Sequence, residues 1–285
     1  MDIRRPNQPL IHRRNDLPHG FTRFVGTVAY DGTDFHGWQS QPDGNTIQDI
    51  LERRLTAIFR IPIRVHGSGR TDSGVHARGQ VFHFDARWPH SIEVLQTALR
   101  TGLPAGIRVT SMKTGKANFH ARYSAYGKRY RYYIYEGFAP PMEVRYCFST
   151  GERKLDTKRM VEAAVLLTGV HDFSAFGGRN RDSSESDNPI KDLRRLDVAR
   201  RGARVTVTTE ASGYLYKMVR RLAGGLIEVG TGKLTPQELL AYRDAQVSSS
   251  IVPAAPAAGL VMEKVFYKLP ANTNITPEGE TGSGE

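Results

Sequence analysis

Residues 67–77 form a glycine-rich segment, GSGRTDSGVHA, which constrains the fold of this chain more than any other feature. Glycine adopts backbone conformations that other residues avoid and lets another molecule approach closely, so we expect an open loop here. Arg70 and Asp72 lie two residues apart in it, and a nearby arginine favours the ionised form of a carboxylate. Polar and apolar side chains alternate over residues 79–85, which predicts that the loop leads into a strand.

An ionised aspartate on an open loop can act as a nucleophile or as a base, so Asp72 is a candidate catalytic residue. The same composition is common in turns, where an arginine and an aspartate only hold the loop together. The segment alone leaves both interpretations open.

Residues 21–117 predict the order strand, helix, strand, helix, strand. Phe21 to Tyr30 is rich in β-branched and aromatic residues, and Thr46 is a plausible N-cap for the helix that follows. The strand after the glycine loop is followed by a short helix at 91–100 and a strand at 107–112. This order is typical of a ferredoxin-like α/β unit.

Residues 118–269 predict a second α/β unit, so the fold class is α+β. Its predicted strands cover 123–135, 193–198, 203–209 and 260–269, and its helices cover 155–167, 214–229 and a segment that starts at Thr235. Residues 1–20 are expected to form a flexible basic N-terminal arm, 179–188 a mobile loop and 270–285 a disordered tail.

The charge of the chain points to a polyanionic partner. Its 285 residues include 40 Lys and Arg against 29 Asp and Glu, which gives a net charge of +11. Nucleic acid is the commonest partner of such a surface, and the alternative is a basic charge that serves only solubility. No apolar run approaches the roughly 20 residues that span a bilayer, so we expect no membrane association. The single cysteine, Cys147, allows no internal disulfide and predicts a reducing, cytoplasmic setting.

Basic and aromatic residues alternate along the strand predicted at 123–135. Residues two apart share a face of a strand, so two sets point in opposite directions. One set is Lys128, Tyr130, Tyr132 and Ile134, and the other is Arg129, Arg131 and Tyr133. Tyrosine rings stack on unpaired bases while arginine and lysine hold phosphates, so the strand is a candidate RNA-binding surface. The alternative is a strand buried on both faces, with its tyrosines in the core.

The helix predicted at 214–229 carries Arg220 away from its apolar stripe, where the common fate of an arginine is solvent exposure. The Gly224-Gly225 pair in this helix predicts close approach by another backbone. No histidine has a spacing typical of metal ligands, so no metal site is expected. The histidines considered are His36, His76, His83, His120 and His171. No phosphate-binding or dinucleotide-binding glycine motif is present, so no nucleotide cofactor is indicated.

Several segments, in this order, closely resemble the tRNA pseudouridine synthase A family. They are 30–39, 69–77, 119–125, 128–132, 169–176 and 218–220, and the resemblance extends from about residue 21 to residue 268. It implies two α/β units, 21–117 and 118–269, joined into a pseudouridine-synthase fold with a central, mostly antiparallel sheet and an RNA-binding cleft. It also implies a homodimer that uses neither a metal nor an organic cofactor.

The resemblance assigns roles to individual residues. It implies that Asp72 is the catalytic nucleophile, that Arg70 neighbours it in the signature loop, that Tyr130 stacks on the target uracil and that Arg220 pairs with Asp72. The residues expected to bind substrate are Tyr130, Arg70, Arg129, Lys128, Arg131 and His76. The implied reaction is isomerisation of uridine to pseudouridine at positions 38, 39 and 40, in the anticodon stem-loop of tRNA.

The chemistry of the reaction agrees with these residue types. The N1–C1′ bond breaks, the uracil turns, and C5 joins C1′. A carboxylate can attack C1′ of the sugar or C6 of the base, or remove a sugar proton, and the sequence leaves the three routes open. The alternatives to an isomerase are a non-catalytic RNA-binding protein of the same fold and a metal-dependent nuclease, although a nuclease site needs clustered carboxylates.

Overall fold

The computed structural model describes residues 17–178 and 188–267, which form ten strands and five α-helices. The strands are β1 (Thr22–Tyr30), β2 (His66–Gly67), β3 (His76–Ala86), β4 (Ile107–Thr114), β5 (Gly127–Tyr135), β6 (Phe148–Ser149), β7 (Gly169–Asp172), β8 (Ile190–Arg201), β9 (Arg204–Ala211) and β10 (Leu260–Phe266). The helices are α1 (Ile47–Phe59), α2 (Ile92–Thr101), α3 (Thr157–Leu167), α4 (Met218–Gly230) and α5 (Pro236–Asp244).

Three predicted segments lie partly or wholly outside the described residues. These are the N-terminal arm up to residue 16, the loop over 179–187 and the entire C-terminal tail. In the part of the chain that is described, no helix is both long and apolar enough to cross a membrane.

All ten strands belong to one sheet, which confirms the predicted α+β class with a mostly antiparallel sheet. Eight strands follow the order β4-β1-β3-β10-β5-β9-β8-β7, while β2 pairs with β3 and β6 pairs with β5. The parallel pairs are β10 with β3 and β5 with β6. Because β10 also pairs antiparallel with β5, the last strand within the described residues joins the two predicted units. The sheet is therefore continuous across residue 117, and the division into two domains stays a prediction.

Local sequence signals account for most of the helix boundaries. Thr46 caps α1, where its hydroxyl accepts a hydrogen bond from the backbone N–H of Asp49. Thr235 and Glu238 form a reciprocal capping box at the start of α5, with Pro236 in the first turn. Both starts agree with the prediction.

Two elements, α4 and β5, begin four residues later than predicted. Helix α4 begins at Met218 rather than at 214, because Lys217 has a φ of 60°. A residue in the left-handed region cannot continue a right-handed helix. The regular helix therefore begins only after Lys217. Strand β5 begins at Gly127 rather than at 123, because the preceding residues turn: the N–H of Ser124 donates to the carbonyl of His120.

The two faces of β5 differ in burial, as its alternating sequence predicts. Tyr130, Tyr132 and Ile134 are buried, whereas Arg131 and Tyr133 are half-buried on the opposite face. Strand β5 contacts α4, and Tyr132 lies close enough to Arg220 of that helix for the guanidinium charge to act on its hydroxyl. The buried tyrosines therefore face the side of the sheet from which Arg220 approaches.

Gly224 in α4 lies directly against another backbone segment, as predicted. A Cβ atom at this position would lie 1.9 Å from the carbonyl oxygen of Pro253. Since that oxygen belongs to backbone, it cannot move aside as the end of a flexible side chain could. The glycine is needed for α4 and residues 253–255 to pack together.

We expect Gly224→Ala to destabilise the protein, although alanine alone would favour the helix by about 1 kcal/mol. The clash with Pro253 outweighs that gain, because overpacking a tight contact costs roughly 1–3 kcal/mol. Chemical denaturation measures the free energy of unfolding. Gly213→Ala is the control: a Cβ there meets no atom within 4 Å, and its effect should stay within about 0.5 kcal/mol. Equal stability of the two variants would contradict this packing.

Candidate active site

Asp72 lies on the loop between β2 and β3, which is held by β1 and by the residues before α1. The hydroxyl of Thr71 is 2.8 Å from the Tyr30 hydroxyl, and the Thr71 carbonyl accepts a 3.0 Å hydrogen bond from the N–H of Trp38. The Val75 N–H donates to the Asp72 carbonyl and closes a turn in which Gly74 has a φ of 76°. This glycine is required because a side chain disfavours the left-handed region. The loop therefore presents Asp72 from a fixed backbone.

Arg220 forms an ion pair with Asp72 across the molecule. The Nη1 atom of Arg220 lies 2.8 Å from Oδ2 of Asp72, and the two side chains are 17% and 21% exposed, respectively. The Nε atom of Arg220 donates a 2.7 Å hydrogen bond to the carbonyl of Ala255. A charge-assisted bond of this geometry orients the carboxylate. Arg220 thus lies where the resemblance requires it, rather than in solvent.

Tyr130 completes the group. It is 7% exposed and packs edge-to-face against Tyr214, with the ring centroids 5.2 Å apart. Burial raises the pKa of the Tyr130 hydroxyl well above its ordinary value, and the neighbouring Tyr214, Tyr30 and Asp72 raise this pKa further. The hydroxyl is therefore neutral near Asp72 and can donate a hydrogen bond.

Arg70 lies two residues from Asp72 in the sequence but does not form an ion pair with it. Arg70 is exposed and, within the described residues, has no ion pair, so the partner of Asp72 is Arg220 instead. The physical reason is the fold of the loop, which turns Asp72 toward α4 while Arg70 remains at the surface. Arg70 stays a candidate for substrate contact.

The predicted basic residues of β5 divide between the two faces of the sheet. Lys128 lies beside the loop, with its Nζ 2.6 Å from the position of a Cβ at Gly69. Arg129 pairs with Glu210 at 2.6 Å, and Arg131 lies 3.9 Å from Glu263. By strand alternation these two arginines face away from Tyr130. The structure therefore brings Lys128, but neither arginine, to the Asp72 side.

His76 is buried behind the loop, which argues against contact with a substrate. Its Nδ1 lies 3.0 Å from the N–H of Gly32 and 3.1 Å from a carboxylate oxygen of Asp31. Its Nε2 lies 3.0 Å from the carbonyl of Arg145 and 3.2 Å from that of Ala258. Since Nε2 faces two acceptors, it carries a proton and donates. The side chain ties three segments together instead of facing the cleft.

Three residues of the site were not among the sequence candidates: Tyr30, Thr71 and Tyr214. Thr71 lies within the loop, and Tyr30 and Tyr214 reach the loop and Tyr130, respectively, from distant parts of the chain. Across residues 17–178 and 188–267 no three His, Cys, Asp or Glu side chains are grouped so that they could hold a metal ion.

Comparison with known proteins gives a consistent result. The family model described as tRNA pseudouridine synthase matches residues 27–124 and 163–268. A protein named tRNA pseudouridine synthase A from Akkermansia muciniphila is 40% identical over 257 residues, which cover 86% of this chain and 95% of that protein. Proteins of the same name from Exiguobacterium sibiricum and Chlamydia trachomatis serovar A are 36% and 38% identical, over 86% and 87% of this chain and 96% and 93% of their own lengths.

We expect the Tyr130 hydroxyl to keep its proton at pH about 10, where tyrosine ordinarily ionises, because burial disfavours the charged form. In a spectrophotometric titration, Tyr130→Phe should show the same tyrosinate signal as the wild type while both stay folded. Loss of one tyrosinate signal in the variant near that pH would contradict the assignment. Because the unfolded chain ionises this group first, alkaline pH should also destabilise the wild type more than the variant.

Proposed function

The chain belongs to the tRNA pseudouridine synthase family, and we propose that it isomerises uridine to pseudouridine in tRNA with Asp72 as the catalytic carboxylate. The observation that supports this role most strongly is the 2.8 Å ion pair between Asp72 and Arg220, with Tyr130 near enough that the Asp72 charge raises the pKa of its hydroxyl. A carboxylate, a fixed cation and an aromatic ring are what the reaction requires at one point.

Arg220 leaves part of the Asp72 carboxylate for the substrate. Its guanidinium bonds Oδ2, so Oδ1 is the oxygen that can face the nucleotide. That oxygen can attack C1′ or C6, or remove a sugar proton. The reaction is an isomerisation: the N1–C1′ bond breaks and the C5–C1′ bond forms, C5 loses its proton, and N1 gains one, so the composition does not change.

Tyr130 supports the uracil after it leaves the base stack. Extrusion of a base costs a few kcal/mol, which stacking on an aromatic ring offsets. Because the Tyr130 hydroxyl keeps its proton, it serves as a hydrogen-bond donor to the uracil or to the group that receives the C5 proton.

Basic side chains near the loop of Asp72 hold the RNA backbone. Lys128 and the exposed Arg70 lie on or beside the loop of Asp72, where cations neutralise phosphates. The resemblance implies that the target nucleotides are positions 38, 39 and 40 in the anticodon stem-loop. A cytoplasmic location fits an enzyme that acts on tRNA and has a single cysteine.

We expect Asp72→Asn to lower pseudouridine formation about a hundredfold or more, since asparagine keeps the shape but loses the charged oxygen. Binding of tRNA should stay within about tenfold, or roughly 1.4 kcal/mol. The measurement is metal-free incubation with unmodified tRNA, followed by mapping of pseudouridine at each nucleotide. Asp244→Asn, an exposed aspartate at the end of α5, is the matched control and should retain full turnover.

The same experiment separates the two candidate functions. A non-catalytic RNA-binding protein would bind tRNA and leave every uridine unchanged in the wild type. Substantial turnover by Asp72→Asn would instead show that another residue is the catalytic group. Pseudouridine outside positions 38, 39 and 40 would contradict only the proposed target nucleotides.

The homodimer rests on an exposed apolar patch. The segment over 136–147 carries Phe138, Met142, Val144 and Tyr146, of which Met142 is 87% exposed. Large exposed apolar residues grouped on one segment are typical of a protein interface, and a two-fold axis would bring the same patch of two copies together.

We expect sedimentation equilibrium to give twice the chain mass of 31.8 kDa. Met142→Glu should shift the species toward the monomer, because a buried unpaired carboxylate is costly. Val247→Glu introduces the same charge at an exposed apolar residue near α5 and should leave the mass unchanged. A wild type that stays monomeric at every concentration would exclude the dimer.

A further inference from the structure

Residues 253–259, which we name the strap, contact both Arg220 and the loop that carries Asp72. The strap passes α4 at Gly224, where the Pro253 carbonyl packs against the helix. Two residues further on, the carbonyl of Ala255 accepts the bond from Nε of Arg220, and the N–H of Ala255 donates a 2.9 Å bond to the backbone carbonyl of Arg220. Arg220 is thus held by the strap at both its backbone and its guanidinium.

The other end of the strap reaches the loop of Asp72. The Cβ of Ala257 lies 3.3 Å from the position of a Cβ at Gly74, and the carbonyl of Ala258 lies 3.2 Å from Nε2 of His76. The strap therefore contacts Arg220 directly, and it contacts the loop that carries Asp72 at Gly74 and His76.

Tyr132 fixes the middle of the strap. Its side chain is 1% exposed, and its hydroxyl donates a 2.8 Å hydrogen bond to the carbonyl of Pro256. Gly259 packs on the same ring, since a Cβ there would lie 2.7 Å from Cζ of Tyr132. Burial raises the pKa of Tyr132, so the hydroxyl remains a neutral donor. Pro256 follows Ala255 directly, so this bond anchors the carbonyl that orients Arg220.

We propose that Tyr132 is a positioning residue: its hydroxyl holds the strap, and the strap holds the Arg220 guanidinium against Asp72. The proposal rests on the proposed function for its kinetic consequences and on the geometry alone for its structural ones. Tyr132 does not need to touch the RNA, because it acts through the carbonyls of Pro256 and Ala255.

The kinetic test compares Tyr132→Phe with wild type on saturating tRNA. We expect kcat to fall about tenfold while KM stays within about twofold, since a small misplacement of a catalytic pair affects the chemical step. Tyr267→Phe is the matched control: it also removes a tyrosine hydroxyl that donates a 2.8 Å bond to a backbone carbonyl, that of Ala121, away from the site. Its kcat should be unchanged.

A double-mutant cycle separates positioning from general support of the fold. Arg220→Lys keeps the positive charge but loses the Nε–H that bonds Ala255. In that background Tyr132→Phe should lower kcat by less than about twofold, because residues that act through one another are not additive. If the two effects multiply, or if Tyr132→Phe alone leaves kcat unchanged, the proposal is wrong.

A structural readout makes the test independent of turnover. The Nε–H proton of Arg220, identified by NMR as the signal lost in Arg220→Lys, should exchange with solvent several-fold faster in Tyr132→Phe. If the wild type forms no pseudouridine but this exchange accelerates, the proposed function fails and the positioning role stands. Unchanged exchange overturns the positioning role. Should Tyr132→Phe not fold, Pro256→Gly loosens the strap from the surface side and should produce the same changes.

Discussion

The ion pair between Arg220 and Asp72 is the contact on which the site depends. The two residues are 148 positions apart and belong to different halves of the chain. A half-buried ion pair contributes to stability only if both side chains are already fixed. Otherwise the entropy lost on ordering them offsets the electrostatic attraction. The fold meets this condition on each side: a closed turn holds the aspartate, and two bonds to Ala255 hold the arginine.

The sheet explains why the two halves meet at this point. Strand β10 lies between β3, which follows the loop of Asp72, and β5, which carries Tyr130. The strap leads directly into β10. One continuous stretch of the chain therefore first orients Arg220 and then pairs with strands of both halves. The half-buried opposite face of β5 keeps its arginines in pairs with carboxylates, which leaves the tyrosine face to the site.

Much of this could be predicted from the sequence, because the signals are local. N-caps, alternating burial and glycines mark α1, α5, β5 and the loop of Asp72 correctly. The errors arise where distant contacts decide. Lys217 in a left-handed conformation delays the start of α4, and Arg70 stands next to Asp72 in sequence while its partner comes from α4. His76 has the residue type of a ligand-binding group, yet only the fold shows that it is buried.

The position of β10 also bears on how the molecule is made. During synthesis β3 and β5 emerge long before residues 260–266, and until then each exposes the edge that β10 will cover. Unpaired edges attract other strands, so the nascent halves are most exposed to wrong pairing in this interval. The strap emerges in the same interval, which means that the two halves join and the ion pair is oriented in a single late step.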